Sequence, residues 1–208
     1  ILDLITSRGL GDVYKRQVLA GNAYLGSLGK KLSQRLMPVG TYMIATEPLG
    51  STRAWQLLPE NSAVADINFV LDYFRLSADQ RLLFGGGVSY STVPPVNVRS
   101  YLKKRMLKVF PSLDDVELEY GWGGLVGITM NRMPNFGRLA PNVFLAQGFS
   151  GHGVALTGLA GKLMAEVISG TAERFDVMSR VPHLPFPGGP LFRMPAPVSY
   201  THLRAHET

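Results

Sequence analysis

The chain of 208 residues has no cysteine, which excludes disulfide staples, thiolate zinc sites and iron–sulfur clusters. Charge is sparse as well: 17% of residues are Asp, Glu, Lys or Arg against 46% hydrophobic, a balance foreign to disordered chains and coiled coils. No apolar run approaches the roughly 20 residues that a membrane-crossing helix needs, and no basic start leads into an apolar stretch as in a secretory leader. Repeats and low-complexity tracts are missing, and the 23 glycines and 14 prolines fall at separated, turn-like positions. The composition predicts a folded protein of one or two modules with no membrane partner, and a reducing compartment, by default the cytoplasm.

The two ends read differently from the interior. Residues 1–17, containing SRGLGDVYKRQ, and residues 197–208, containing VSYTHLRAHET, resemble translated sequencing-adapter runs and are set aside as non-native. His202 and His206, although four apart, therefore carry no metal site.

The net charge of +6 is partly local. Arg99, Lys103, Lys104, Arg105 and Lys108 alternate with Val98, Leu102, Met106, Val109 and Phe110 at helical spacing, which predicts an amphipathic helix from a cap at Asn97 to Pro111. Its basic face is either solvated or an anion-binding patch. No interleaving of aromatic and basic residues and no nucleic-acid motif accompanies it, so no nucleic-acid partner is expected. Asp114, Asp115, Glu117 and Glu119 form an acidic cluster that is better explained as a solvated face than as a metal site.

Val18–Asn22 reads as a strand running into a helix over Tyr24–Leu36, and TYMIAT at 41–46 as a strand. Ile67–Leu76 and Arg81–Gly85 flank Ser-Ala-Asp-Gln as an antiparallel pair. Val116, Leu118, Tyr120 and Trp122 alternate with polar residues or glycine, predicting a strand with one apolar face. The run VFLA at 143–146 suits a strand buried on both faces, followed by the loop QGFSGHG and a helix over Val154–Ser169 that ends at Gly170. The order of elements predicts αβ material interrupted by an antiparallel insert with one helix.

A buried strand delivering Gly148, Gly151 and Gly153 to a helix start makes a corner that attracts negative charge, because free N–H groups and aligned peptide dipoles meet there. The loop is not a Walker motif and not a G-x-G-x-x-G turn, so the residues alone leave a ligand site and a purely structural turn both open. His152 has no serine elbow, cysteine or paired acid to complete a triad, and is read as ordering the turn.

VLAGNAYLG, PVGTYMIATEPL, DYFRLSADQRLLFGGGVSY, YGWGGLVGITMNRMPNFGRL, NVFLAQGFSGHGV and LAGKLMAEVISG together resemble the C-terminal half of the FAD-dependent amine and amino-acid oxidase family related to D-amino-acid oxidase. The resemblance implies an α/β FAD domain, here residues 18–37 and 123–196, interrupted by an antiparallel α+β substrate domain at 38–122. It also implies hydride transfer from the α-carbon of an amine to FAD, hydrolysis of the imine, and reoxidation by molecular oxygen to hydrogen peroxide. Gly148, Ser150, Gly151, His152, Gly153 and Val154 would then lie at the flavin ring, with Gly21, Asn22 and Ala23 near the cofactor. With no cysteine to form a thioether, FAD is expected to be non-covalent.

The resemblance extends to Thr129 followed five residues later by Pro134. Family members acting on free α-amino acids carry a carboxylate-binding arginine three residues before that threonine, where this sequence has Val126, so a small-molecule amine such as a modified polyamine is implied instead. Tyr42, Tyr73, Trp122 and Arg132 are the candidate substrate contacts; core or wall packing and a structural cation are their alternatives. The G-x-G-x-x-G half of the family pattern is missing from the sequence, so the fragment alone is expected to hold FAD weakly. A dehydrogenase passing electrons to another acceptor and a noncatalytic anion-binding module remain as alternative readings.

Overall fold

The computed structural model describes residues 16–68, 70–90 and 95–187, arranged in two compact units. Unit 1 comprises residues up to Pro38 and from Val126 on, and unit 2 is Val39–Leu125. The insert expected at 38–122 thus stands beside a compact unit whose limits differ from it by one and three residues. The stretches read as adapter-like lie outside the described residues except for positions 16 and 17, and Gln17 is the first residue of a strand.

Unit 1 is a layered α/β arrangement around a three-stranded sheet. β1 (Gln17–Leu19) pairs in parallel with β8 (Val143–Gln147), which pairs on its other side with antiparallel β7 (Asn135–Ala140). All five residues of β8 are buried because both faces of this central strand are covered. On one face Phe136 and Phe144 meet Phe175 edge-on, at centroid separations of 6.2 and 5.8 Å. Leu163, Met164 and Val167 of helix α4 (Gly153–Ser169) close that core, with Phe175 supplied by α5 (Glu173–Ser179). On the other face Leu145 packs with Leu25 and Leu32.

The helix expected over Tyr24–Leu36 is not continuous. Two 3-10 turns, Asn22–Tyr24 and Gly26–Gly29, precede the single-turn helix α1 (Lys30–Ser33). A left-handed conformation at Gly26 (φ 51°) interrupts the ladder that the leucine pattern suggested, and another at Asn22 (φ 45°) bends the chain just before it.

Unit 2 holds most of a five-stranded sheet in the order β3-β4-β5-β2-β6, formed by β2 (Met37–Thr46), β3 (Val64–Ala65), β4 (Asp72–Leu76), β5 (Leu82–Ser89) and β6 (Leu118–Ile128). Helix α2 is Gly50–Leu57 and helix α3 is Val98–Val109. The antiparallel pair is present, with Leu76 opposite Leu82, although its first strand starts at Asp72. Asp66 accepts a hydrogen bond from the Asn68 amide at 3.0 Å, and this local turn occupies residues read as strand. Helix α3 starts as expected, with the Asn97 side chain accepting from the Ser100 amide at 2.9 Å.

Leu102 and Met106 of α3 bury against Tyr42, Ile44, Leu82 and Phe84, so this helix covers one face of the sheet. Phe74 stacks on Phe84 at 5.9 Å and meets Phe110 edge-on at 4.9 Å. The apolar face expected for β6 is only half realised: Val116 and Leu118 are buried, but Tyr120 is 54% and Trp122 is 45% exposed. Tyr120 instead lies under the Arg81 guanidinium, 5.2 Å from ring centre to carbon.

Candidate functional site

The glycine-rich turn lies entirely within unit 1. β8 ends at Gln147 and α4 begins at Gly153, leaving five residues to reverse direction. Gly148 (φ 73°), Ser150 (φ 52°) and Gly151 (φ 93°) all adopt left-handed conformations. At Ser150 this costs about 1–2 kcal/mol for an L-residue with a Cβ, and hydrogen bonds offset that cost. The Ser150 amide donates to the Gly127 carbonyl at 3.0 Å. Its hydroxyl donates to the Gly148 carbonyl at 3.2 Å and accepts from the Thr129 amide at 3.3 Å. Thr129, itself buried, donates through Oγ1 to the Met133 carbonyl at 2.8 Å. The threonine of the Thr129–Pro134 pattern therefore grips the turn.

The far end of unit 1's sequence grips it too. Asn22, in the 3-10 turn after β1, accepts the Gly148 amide on Oδ1 at 2.9 Å across 126 positions. The same oxygen fills the space where a Cβ on Gly127 would stand. Of the cofactor-side candidates, then, Asn22, Gly148 and Ser150 form one bonded group. Gly21 is closed off by Leu25, 2.7 Å from where its Cβ would be, and Ala23 follows in the same 3-10 turn.

The outer part of the turn is open. A Cβ on Gly151 would meet nothing within 4 Å, and the His152 and Val154 side chains are exposed. His152 orders the turn through its backbone: its amide donates to the Phe149 carbonyl at 2.9 Å and its carbonyl accepts from the Leu156 amide at 3.0 Å. No side chain caps α4 and its first turn holds no acid, so the positive end of its dipole is left without an internal counter-charge. These residues fit the electron-rich edge of a planar redox cofactor, which can approach the main chain at Gly151 and share the first-turn N–H groups.

The substrate-side candidates are placed differently. Tyr42 is in the core of unit 2, its ring against Gly40 and Gly123. Tyr73 lies half-buried on the opposite sheet face, opposite Gly85 in β5, where burial raises the pKa of its phenol and the Thr41 side chain opposes this. Trp122 is half exposed on β6. Arg132 is an exposed turn residue with φ 60°, its amide donating to the Thr129 carbonyl at 3.1 Å.

The charged clusters are largely spent on internal pairing. Arg105 bonds Asp72 at 2.7 Å, and Lys103 donates to the carbonyls of Asp114 and Val116. Asp115 pairs with Arg53 at 2.6 Å and Glu119 with Arg81 at 2.5 Å, and the Arg53 guanidinium holds the Asp115 carboxyl below its ordinary range. Among the described residues no group of three or more His, Asp or Glu could hold a metal ion, and no helix is long and apolar enough to cross a membrane.

Two features gave no signal in the sequence. Asn135 and Gln147 are opposite each other in β7 and β8, fully buried, with Asn135 Nδ2 and Gln147 Oε1 lacking partners. His183 is also buried at both ring nitrogens; burial lowers its proton affinity, the Pro134 carbonyl opposes this, and the charge of Arg35 adds to the lowering.

Comparison with known proteins places these features in a family. The family described as DAO, FAD dependent oxidoreductase, matches residues 3–167. The chain is 49% identical over 182 residues to gamma-glutamylputrescine oxidoreductase of Escherichia coli (strain K12), a match covering 87% of this chain and 43% of that protein. It is 41% identical over 189 residues to the probable oxidoreductase OrdL of Haemophilus influenzae, covering 85% of this chain and 43% of that one. The chain thus spans less than half the length of these relatives. In fold it is similar to glycine oxidase from Bacillus cereus, with a TM-score of 0.63 at 20% identity, covering 79% of this chain and 44% of that structure.

Proposed function

The chain belongs to the DAO family of FAD-dependent oxidoreductases, and from that premise we propose that it is the C-terminal part of an enzyme oxidising the C–N bond of an amine, gamma-glutamylputrescine or a related amine. The observation that carries the reading is the open turn at Gly151 in front of the uncapped, acid-free start of α4.

FAD, held non-covalently, would accept hydride and pass electrons to molecular oxygen, releasing hydrogen peroxide. This chain's own contribution is to fix a positive pole and keep it rigid. The amides of the first turn of α4 would face charge that develops on the ring edge, and their worth is greatest where they need no reorganisation. Rigidity comes from Asn22 on Gly148 and from Thr129 and Ser150 beneath the turn. Tyr73 and Trp122, on unit 2, are proposed as substrate walls. Tyr42 belongs to the core and would act only by supporting them.

The test is the full-length protein that carries this chain. It should purify yellow, release its flavin on acid precipitation, and form peroxide with gamma-glutamylputrescine. A colourless preparation sinks the reading. Rapid reduction by the amine with very slow reaction towards oxygen would keep the family and replace the acceptor.

A further inference from the structure

The face of the unit 2 sheet turned away from α3 carries a floor of half-buried, mostly apolar groups: Thr41 and Met43 from β2, Leu83 from β5 and Tyr73 from β4. Glycine at 85 makes this floor continuous. The Tyr73 ring lies where a Cβ on Gly85 would be, with the Thr41 side chain beside its phenol. Strand alternation puts Arg75 on the same face as Tyr73, opposite Leu83 in β5, with small Ala45 beyond it in β2.

Arg75 is the one charged residue within β2, β4 and β5 that is directed to this face, and among the described residues no acid pairs with it. Arg53, Arg81 and Arg105 of the same unit each bond a carboxylate, at 2.6, 2.5 and 2.7 Å. Arg75 makes a 3.3 Å bond from Nε to the Leu76 carbonyl, and no described carboxylate pairs with it. A guanidinium exposed beside an apolar floor presents two parallel N–H donors at fixed spacing, the geometry that a carboxylate matches and an amine does not.

We propose that Arg75 is a specificity-determining residue that binds a carboxylate carried by the substrate at a distance from the reacting amine. The inference rests on the function proposed above: a gamma-glutamyl amide of putrescine has its carboxylate on the glutamyl carbon and its oxidisable amine at the opposite end. Tyr73 and Thr41 would give the connecting chain its floor. An α-amino acid, whose carboxylate adjoins the reacting amine, could not use a carboxylate site of this kind.

The experiment compares two amines in the full-length enzyme: gamma-glutamylputrescine, and 4-aminobutyryl-putrescine, which is the same molecule without the carboxylate. Wild type should show a lower KM for the first, and Arg75→Gln should erase about 10- to 100-fold of that preference, the worth of one charge-assisted pair. Arg75→Lys should restore part of it, since it keeps charge and loses the fork. Equal preference in wild type and Arg75→Gln, or no wild-type preference at all, overturns the assignment. A wild-type enzyme that oxidises neither amine would instead overturn the proposed function.

Discussion

The two glycine clusters of this chain, GFSGHG at 148–153 and GGG at 85–87, look alike in composition and serve opposite ends. In the turn, glycine supplies backbone shape: Gly151 has a left-handed φ of 93° and open space where a side chain would be. In β5, glycine makes way for neighbours: the positions of the missing Cβ atoms are taken by Tyr73 at Gly85, by Asp72 at Gly86 and by Tyr101 at Gly87. Gly148 and Gly87 combine both: the first has φ 73° with Thr129 and Leu36 in its Cβ space, the second φ 68° with Tyr101 there. One residue type thus answers to torsional freedom at Gly151, to side-chain volume at Gly85 and Gly86, and to both at Gly87 and Gly148.

That contrast can be broken by substitution. Gly148→Ala faces both penalties and should destabilise most, by about 2–4 kcal/mol, read as a lower urea midpoint. Gly85→Ala should cost about 1–3 kcal/mol through overlap with the Tyr73 ring, and Tyr73→Ala in the same molecule should recover most of it. If the double variant is no better than the single one, volume is not the reason for glycine there. Gly151→Ala meets no atom and should cost only about 1 kcal/mol of backbone strain, with Gly151→Asn milder still. No second-site partner should rescue it.

The smallest effect concerns pH. Burial holds His183 below its ordinary value of 6.5, so the folded state favours the neutral ring. The unfolded chain then binds more protons just below pH 6.5, and stability that is fully present above that value declines as pH falls towards the folded-state value. The urea midpoint should drop between pH 7.5 and 5.5, and His183→Asn should flatten the dependence. An unchanged slope in the variant would mean that other groups govern it.

Much of the frame was legible because local signals agree with the tertiary outcome. Continuous apolar character marked β8, periodicity with a cap marked α3, and a glycine-rich break between strand and helix marked the turn. Where tertiary contacts decide, the sequence is mute. The leucines of 24–36 looked helical, but the left-handed bends at Asn22 and Gly26 bring Leu25 and Leu32 onto the sheet in short pieces. Tyr120 and Trp122 alternate like core residues yet stay exposed, because hydrophobic alternation says which side chains share a face and not whether anything covers it. Asn22 and Thr129 reach the turn from 126 and 21 positions away, and no window along the chain contains either contact.

The bond from Asn22 to Gly148 also imposes an order on assembly. On a ribosome the asparagine emerges long before the amide that it will hold, and the whole of Val39–Leu125 is synthesised in between. Closing so long a loop is a slow step in folding, whereas β7 and β8 can zip as neighbours at once. The intervening unit therefore has time to fold before the turn is locked, and a nascent chain stalled short of residue 148 would expose the β1 edge to the wrong partners.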